Sequence, residues 1–380
     1  MAQSKICVGL GWGDEGKGIT TDFLCSKEDL RSTIVVRFSG GQQCGHNVKI
    51  GDRSHVHSNY GSGTLRGVPS YFSEHCTIYP NTMFREKMYL YRYHIEPELY
   101  IHPLAKLTTP ADVAYNKWRE MRLNHGSCGL GVGATMTRNE TTGYKLYAID
   151  LLNRSTLKEK INNIYEYYRG QIVLENDLDS DFFIKEYDQE LHYFNHYSNE
   201  LKFHIKSYDF LRDYNNLIFE GSQGVMLDMN HGIFPNVTYA NTTSKNAIEI
   251  CKKLNISNIE IYYVTRCYQT RHGIGWMSGK ELTSEINNPD ETNILGEWQG
   301  EFRIKEIDYD LLNYALFVDN IYSGGLPKNL VVTCLDQRPD FKFKYEYLDA
   351  RFKVEEIFNS FSPDSASMIL LGSEELLSTY

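Results

Sequence analysis

The chain has no long hydrophobic run. No segment approaches the ~18 consecutive apolar residues that span a bilayer, so no membrane partner is expected. It also lacks an excess of basic charge. Its 380 residues carry 39 Lys and Arg against 49 Asp and Glu, a formal net charge of −10. Wrapping a duplex takes clustered cations that neutralise phosphates, so no nucleic-acid partner is expected either. The eight cysteines form no C-x-x-C pair, and no Cys/His set has zinc-finger spacing. No segment reads as a secretory leader, which points to reduced thiols in the cytoplasm. Pro, Gly and Ser gather into no linker, and neither an internal repeat nor a low-complexity tract is visible. Residues 1–380 are therefore read as a single domain. A charge-rich stretch around 145–215 with helical periodicity is read as a peripheral helical section. The 28 tyrosines carry no evident function beyond packing and surface.

What is present begins with Gly11-Trp12-Gly13-Asp14-Glu15-Gly16-Lys17-Gly18, directly after the apolar run Ile6–Leu10. From Gly11 to Lys17 it fits the first seven positions of a phosphate loop, G-x-x-x-x-G-K, with a strand leading in. The eighth position of such a loop holds Mg²⁺ through a Ser or Thr hydroxyl, and here it is Gly18. The spacing predicts a helix over 18–30, which would place the loop at a helix N-terminus, where amides and dipole favour an anion. Asp14 is the evident substitute for the missing magnesium ligand.

Further strands are predicted at 34–38, 217–219, 259–265 and 330–333, each running into a polar or Gly-rich loop. That pattern predicts an α/β fold, a large, mostly parallel open sheet flanked by helices, with ligands at the strand carboxyl ends. The second strand leads to Gly40-Gly41-Gln42-Gln43-Cys44-Gly45-His46, where His46 can give or take a proton near neutrality. Residues 52–68 read as loop, and 126–133 as another Gly-rich loop. Phe219-Glu220-Gly221-Ser222-Gln223-Gly224 brings Gln223, an amide able to read a purine edge, and Thr238 offers a phosphate donor. Arg266 and Arg271 either serve anions or sit in a solvated loop. Arg303 is suited to a bidentate grip on a carboxylate. Thr333-Cys334-Leu335-Asp336 is similar to a guanine-recognition loop with Cys334 in place of its lysine.

Together these segments resemble the adenylosuccinate synthetase family, which is related to P-loop proteins. The signature W-G-D-E-G-K-G is matched by residues 12–18 and V-V-R-x-x-G-G-x-x-x-G-H by 35–46. F-E-G-x-Q-G-x-x-L-D is matched by 219–228 and V-T-x-x-N-T-T by 237–243. The resemblance implies a homodimeric ligase that joins L-aspartate to a purine nucleoside monophosphate at the expense of a nucleoside triphosphate. It implies Asp14 as general base and Mg²⁺ ligand, His46 as acid, and Lys17 on the transferring phosphoryl group. The Gly45 carbonyl would complete protein ligation of the metal. Gly13, Glu15, Gly16 and Gly18 would join Lys17, Gly45, His46 and Asp336 at the triphosphate. Gln43, Ser127, Cys128, Thr238 and Gln223 would bind the monophosphate, with Arg138 standing in for an arginine expected from the partner subunit. Gln299, Gly300 and Arg303 would take aspartate.

Two departures set this chain apart. Cys334 replaces the lysine before Asp336, and Glu301 replaces the first arginine of the aspartate loop. Both are similar to the phage-type 2-aminoadenylosuccinate branch of the family. That branch implies dGMP as acceptor, ATP or dATP as donor, and host cytoplasm as location. A standard synthetase using IMP and GTP is the alternative, and a non-catalytic nucleotide-binding relative is the third reading.

Overall fold

The computed structural model describes residues 2–371 apart from 124–125, 176–179, 283–285, 287, 289–290 and 292–299. Its centre is a ten-stranded sheet. From one edge to the other the strands are Met368–Leu370, Glu356–Ser360, Lys328–Thr333, Asn258–Arg266, Gln3–Gly9, Asn216–Glu220, Thr33–Arg37, Ser70–Phe72, Leu99–Ile101 and His204–Ile205. Every neighbouring pair is parallel except Glu356–Ser360 with Met368–Leu370. The mostly parallel open sheet flanked by helices is thus the one its buried apolar runs predict.

Strands covered on both faces must be apolar on both. All five positions of Thr33–Arg37 and of Asn216–Glu220 are buried. Successive residues point to opposite faces, and the first strand divides accordingly. Ile6 and Val8 enter a core shared with helices Lys245–Leu254 and Tyr309–Ser323. Cys7 enters the opposite core, beneath helix Lys17–Ser26. That helix is shorter than the 18–30 expected. Asp29 accepts from the Arg31 amide and starts a separate 3₁₀ turn, a local bond that competes with helix continuation.

The section around 145–215 contains two 21-residue helices, Arg154–Leu174 and Ser180–Glu200. They pack with helices Pro80–Leu90 and Pro110–Leu123 around Met83, Trp118, Ile164, Tyr168, Phe183 and Phe194. Tyrosines join these helices: the ring centroids of Tyr115 and Tyr168 are 4.3 Å apart, and those of Tyr165 and Tyr187 4.2 Å. Among the described residues no helix is long and apolar enough to cross a membrane.

Two small hairpins frame the carboxyl ends of the central strands. One pairs His46–Ile50 with Arg53–His57, and the other pairs Gln269–His272 with Phe302–Lys305. The first corrects the reading of 52–68 as loop throughout. Its strand is hidden in sequence because polar His, Ser and Arg dominate it, with burial confined to one end.

Candidate active site

The carboxyl ends of strands Glu356–Ser360, Lys328–Thr333, Asn258–Arg266, Gln3–Gly9 and Thr33–Arg37 lead to one cleft. Asp14, Gly16, Lys17, Gly18, Gly45, His46, Arg266, Thr333, Cys334, Asp336 and Gln337 line it. Sheets of this kind bind ligands at that end.

The 11–18 loop is organised from inside by Glu15. Its Oε1 accepts from the amides of Gly11 at 3.0 Å and Gly13 at 2.7 Å, and its Oε2 holds Lys17 Nζ at 2.6 Å. Glu15 and Lys17 are both buried. Glu15 is therefore the brace of the loop, and Lys17 is pre-positioned at the helix start. Gly16 precedes the helix in the left-handed region, φ 99°. The loop carries its own non-glycine strain at Asp14, φ 64°. The Asp14 carbonyl accepts from Arg266 Nε, and its carboxylate lies 3.8 Å from His272 Nε2. Burial raises the Asp14 pKa, against the opposing pull of Arg266 and His272. A carboxylate moved toward neutrality is a better proton acceptor.

Gly18 is glycine for a steric reason. A Cβ there would come within 2.8 Å of His46 Cβ. The residue that breaks the phosphate-loop pattern thus lets the His46 strand pack directly on the helix.

His46 Nδ1 lies 2.6 Å from Glu220 Oε1. Glu220 is fully buried, also accepts from the Ser62 hydroxyl and from the Ser62 amide at 3.1 Å, and forms an ion pair with Arg37 Nη1 at 3.9 Å. Burial alone would raise its pKa, but His46, Arg37 and Ser62 outweigh it and hold it at about 2. An ionised carboxylate only accepts, so His46 donates Nδ1–H and turns Nε2 outward. Burial lowers the His46 pKa, opposed by Glu220. Glu220 falls within the motif at 219–228, yet nothing in its spacing to His46 marks it as the partner, because the two lie 174 positions apart.

Several buried polar atoms in the surrounding loops have no hydrogen-bond partner among the described residues: Gln43 Nε2 and Oε1, Gln223 Oε1, both ring nitrogens of His272, and Nε of Arg271 and Arg303. Gln223 is in the left-handed region, φ 50°. Arg271 and Arg303 face each other across the second hairpin. Arg271 lies over the Trp12 ring at 4.0 Å, and burial and Arg303 lower its pKa to about 10. Arg303 donates to the Gly273 carbonyl at 2.6 Å. Sequence left Arg271 undecided between an anion and a solvated loop. The hairpin puts it beside Arg303.

The other expected residues are held by contacts of their own. Ser127 Oγ accepts from Asn116 at 3.0 Å, Cys128 is half-buried, and the Thr238 amide donates to the Leu227 carbonyl at 2.8 Å. Gly300 is exposed with φ 76°, and Gln299 lies outside the described residues. Arg138 requires a correction. Its guanidinium is 1% exposed and spent on Asp112, twice at 2.8 Å, and on the carbonyls of Tyr144 and Leu107. It closes the helical layer and is not available to a phosphate.

Oxygen donors suit a hard cation. The Asp14 carboxylate and the Gly45 backbone reach the same cleft, so the residues present fit Mg²⁺.

Fold and loop together define an α/β protein with a cleft at the carboxyl ends of its strands, bordered by a loop of phosphate-loop pattern. Residues 6–305 match the adenylosuccinate synthetase family, and the chain belongs to that family. The adenylosuccinate synthetase of Thermoplasma volcanium is 28% identical over 86% of this chain and 75% of its own length. That of Synechocystis is 30% identical over 76% of this chain and 65% of its own length. Among solved structures, fully ligated adenylosuccinate synthetase from Plasmodium falciparum superposes with a TM-score of 0.72 at 17% identity, covering 98% of this chain and 100% of that one. The succinoaminodeoxyadenylate synthetase of cyanophage S-2L, solved with dGMP and with dATP as energy donor, superposes at 0.64 and 16% identity. It covers 100% of this chain and 99% of that one. Both likenesses concern the fold.

Proposed function

We propose that this chain is a ligase that joins L-aspartate to dGMP with ATP or dATP, forming N6-succino-2-amino-2′-deoxyadenylate, the nucleoside diphosphate and phosphate. The observation that carries the donor choice lies at Cys334 and Asp336. A guanine site uses a carboxylate to accept the base N–H groups. Here Asp336 Oδ2 already accepts from Gln337 Nε2 at 2.5 Å, and Cys334 brings no cation beside it. This arrangement favours an adenine base. On the acceptor side, Glu301 stands where the family's first arginine approaches the ribose 2′ position, which suits a deoxyribonucleotide.

In the mechanism, Asp14 removes the purine N1 proton, aided by its raised pKa. Lys17 and the loop amides hold the phosphoryl group as it moves to O6. The negative charge of the bound nucleotides raises the proton affinity of His46, which takes a proton from solvent on Nε2 and donates it in a hydrogen bond to the O6 phosphoryl group, while Glu220 stabilises the imidazolium through Nδ1. Arg303, with Arg271 beside it, takes the carboxylates of aspartate, whose amine then displaces the phosphate from C6. Mg²⁺, held by Asp14 and the Gly45 carbonyl, would offset phosphate charge when bound. Gln223 reads the base edge, and Gln43 and Thr238 hold the monophosphate. The working unit is read as a homodimer.

The alternative, IMP with GTP, is favoured by one observation: Asp14 is retained, and members of the phage-type branch often lack it. A coupled assay on the purified protein separates the two. Turnover of dGMP with ATP is expected; turnover of IMP with GTP and none of dGMP with ATP overturns the proposal.

A further inference from the structure

On the far strand of the first hairpin, His55 and His57 are two residues apart and so share a face. Helix Pro80–Leu90 brings Glu86 against them. His55 Nε2 lies 3.3 Å from Glu86 Oε1, and His57 Nδ1 lies 3.8 Å from the same oxygen. The three candidate ligand atoms fall within 4.8 Å of one another. Tetrahedral zinc with bonds of about 2.0–2.1 Å sets its ligands about 3.3 Å apart. Closing the set around an ion therefore takes small side-chain movements and no refolding.

Two further features suit a metal. His57 is fully buried, and neither of its ring nitrogens has a hydrogen-bond partner among the described residues. Glu86 Oε2 is fixed by the Asn59 amide at 2.6 Å, Asn59 Nδ2 at 2.8 Å and the Ser58 amide at 3.1 Å. These are the outer contacts that orient a ligating carboxylate. His55 is partly exposed, which gives an entry path and room for a water as fourth ligand.

We propose that His55, His57 and Glu86 form a binding site for a divalent transition ion of the zinc class, separate from the Mg²⁺ of the cleft. Two imidazoles and one carboxylate select zinc over magnesium, which prefers an all-oxygen shell. The ion would pin the hairpin to helix Pro80–Leu90. In that hairpin His57 is the direct cross-strand partner of His46, so the ion would brace the strand that carries His46.

The test is equilibrium dialysis of the full chain, stripped with chelator, against Zn²⁺ in excess Mg²⁺. One Zn²⁺ per chain is expected, with a rise in melting temperature. Affinity should fall about 10–100-fold or more in His55→Ala and in Glu86→Gln, and stay unchanged in Asp14→Asn. Co²⁺ in place of Zn²⁺ should give the strong visible absorption of a four-coordinate site. Circular dichroism of each variant checks that it is folded. Absence of stoichiometric Zn²⁺ uptake by the wild type, or uptake that survives in folded His55→Ala, overturns the proposal. So does uptake lost in Asp14→Asn alone.

Discussion

Gly18 and His46 are in contact at a distance that leaves no room for a side chain at position 18: a Cβ there would sit 2.8 Å from His46 Cβ. Gly18→Ser restores the residue an ordinary phosphate loop has at this place, yet it should lower activity. Displacing a catalytic group by about 1 Å costs on the order of 100-fold. Steady-state kinetics should show a fall in kcat of that order, and a gain in activity would refute the packing argument.

Glu220→Gln should reduce kcat about 10²-fold or more, because the imidazolium of His46 loses its counter-charge. It should also change acid stability. The folded Glu220 pKa of about 2 lies below its ordinary value of about 4.3. Its contribution is thus present above that ordinary value and lost as pH falls through about 2. Urea unfolding of both proteins from neutrality downward should show a gap that closes toward pH 2.

Lys17→Met should abolish phosphate release and destabilise the fold, since Glu15 would be left charged and buried. Breaking a buried pair costs about 3–5 kcal/mol. The double variant Lys17→Met, Glu15→Gln should regain part of that stability and none of the activity.

Arg138→Met should act on stability alone. With Asp112 stranded beside Tyr168, a loss of about 3–5 kcal/mol is expected in denaturant unfolding. Protein that remains folded should show a KM for the nucleoside monophosphate close to wild type. A selective rise in that KM would return Arg138 to the phosphate.

Cys334→Lys should shift donor preference toward GTP. One charge-assisted contact is worth about 1.5–3 kcal/mol, so the ratio of kcat/KM for GTP over ATP should rise about tenfold or more. An unchanged ratio would place donor selection elsewhere.

The sheet was legible because burial on two faces forces continuous apolar runs, as at Ile34–Val36 and Leu217–Phe219. The phosphate loop was legible because its glycines, lysine and leading strand are contiguous. The strand Arg53–His57 was not, since its polar residues carry no apolar alternation. Arg138 was misplaced because a charged residue in sequence gives no sign of burial. Its partner Asp112 lies 26 positions away.

By itself, then, the sequence determined the five central strands, the loop and the family, all properties of short contiguous segments. Only the tertiary structure decided that Glu220 serves His46, that Glu15 cages Lys17, that Arg271 stands beside Arg303, and that Gly18 must be glycine. The long-range pairings follow from which strands become neighbours. The first strand lies between strands that begin more than 200 residues later, and no local pattern encodes that adjacency.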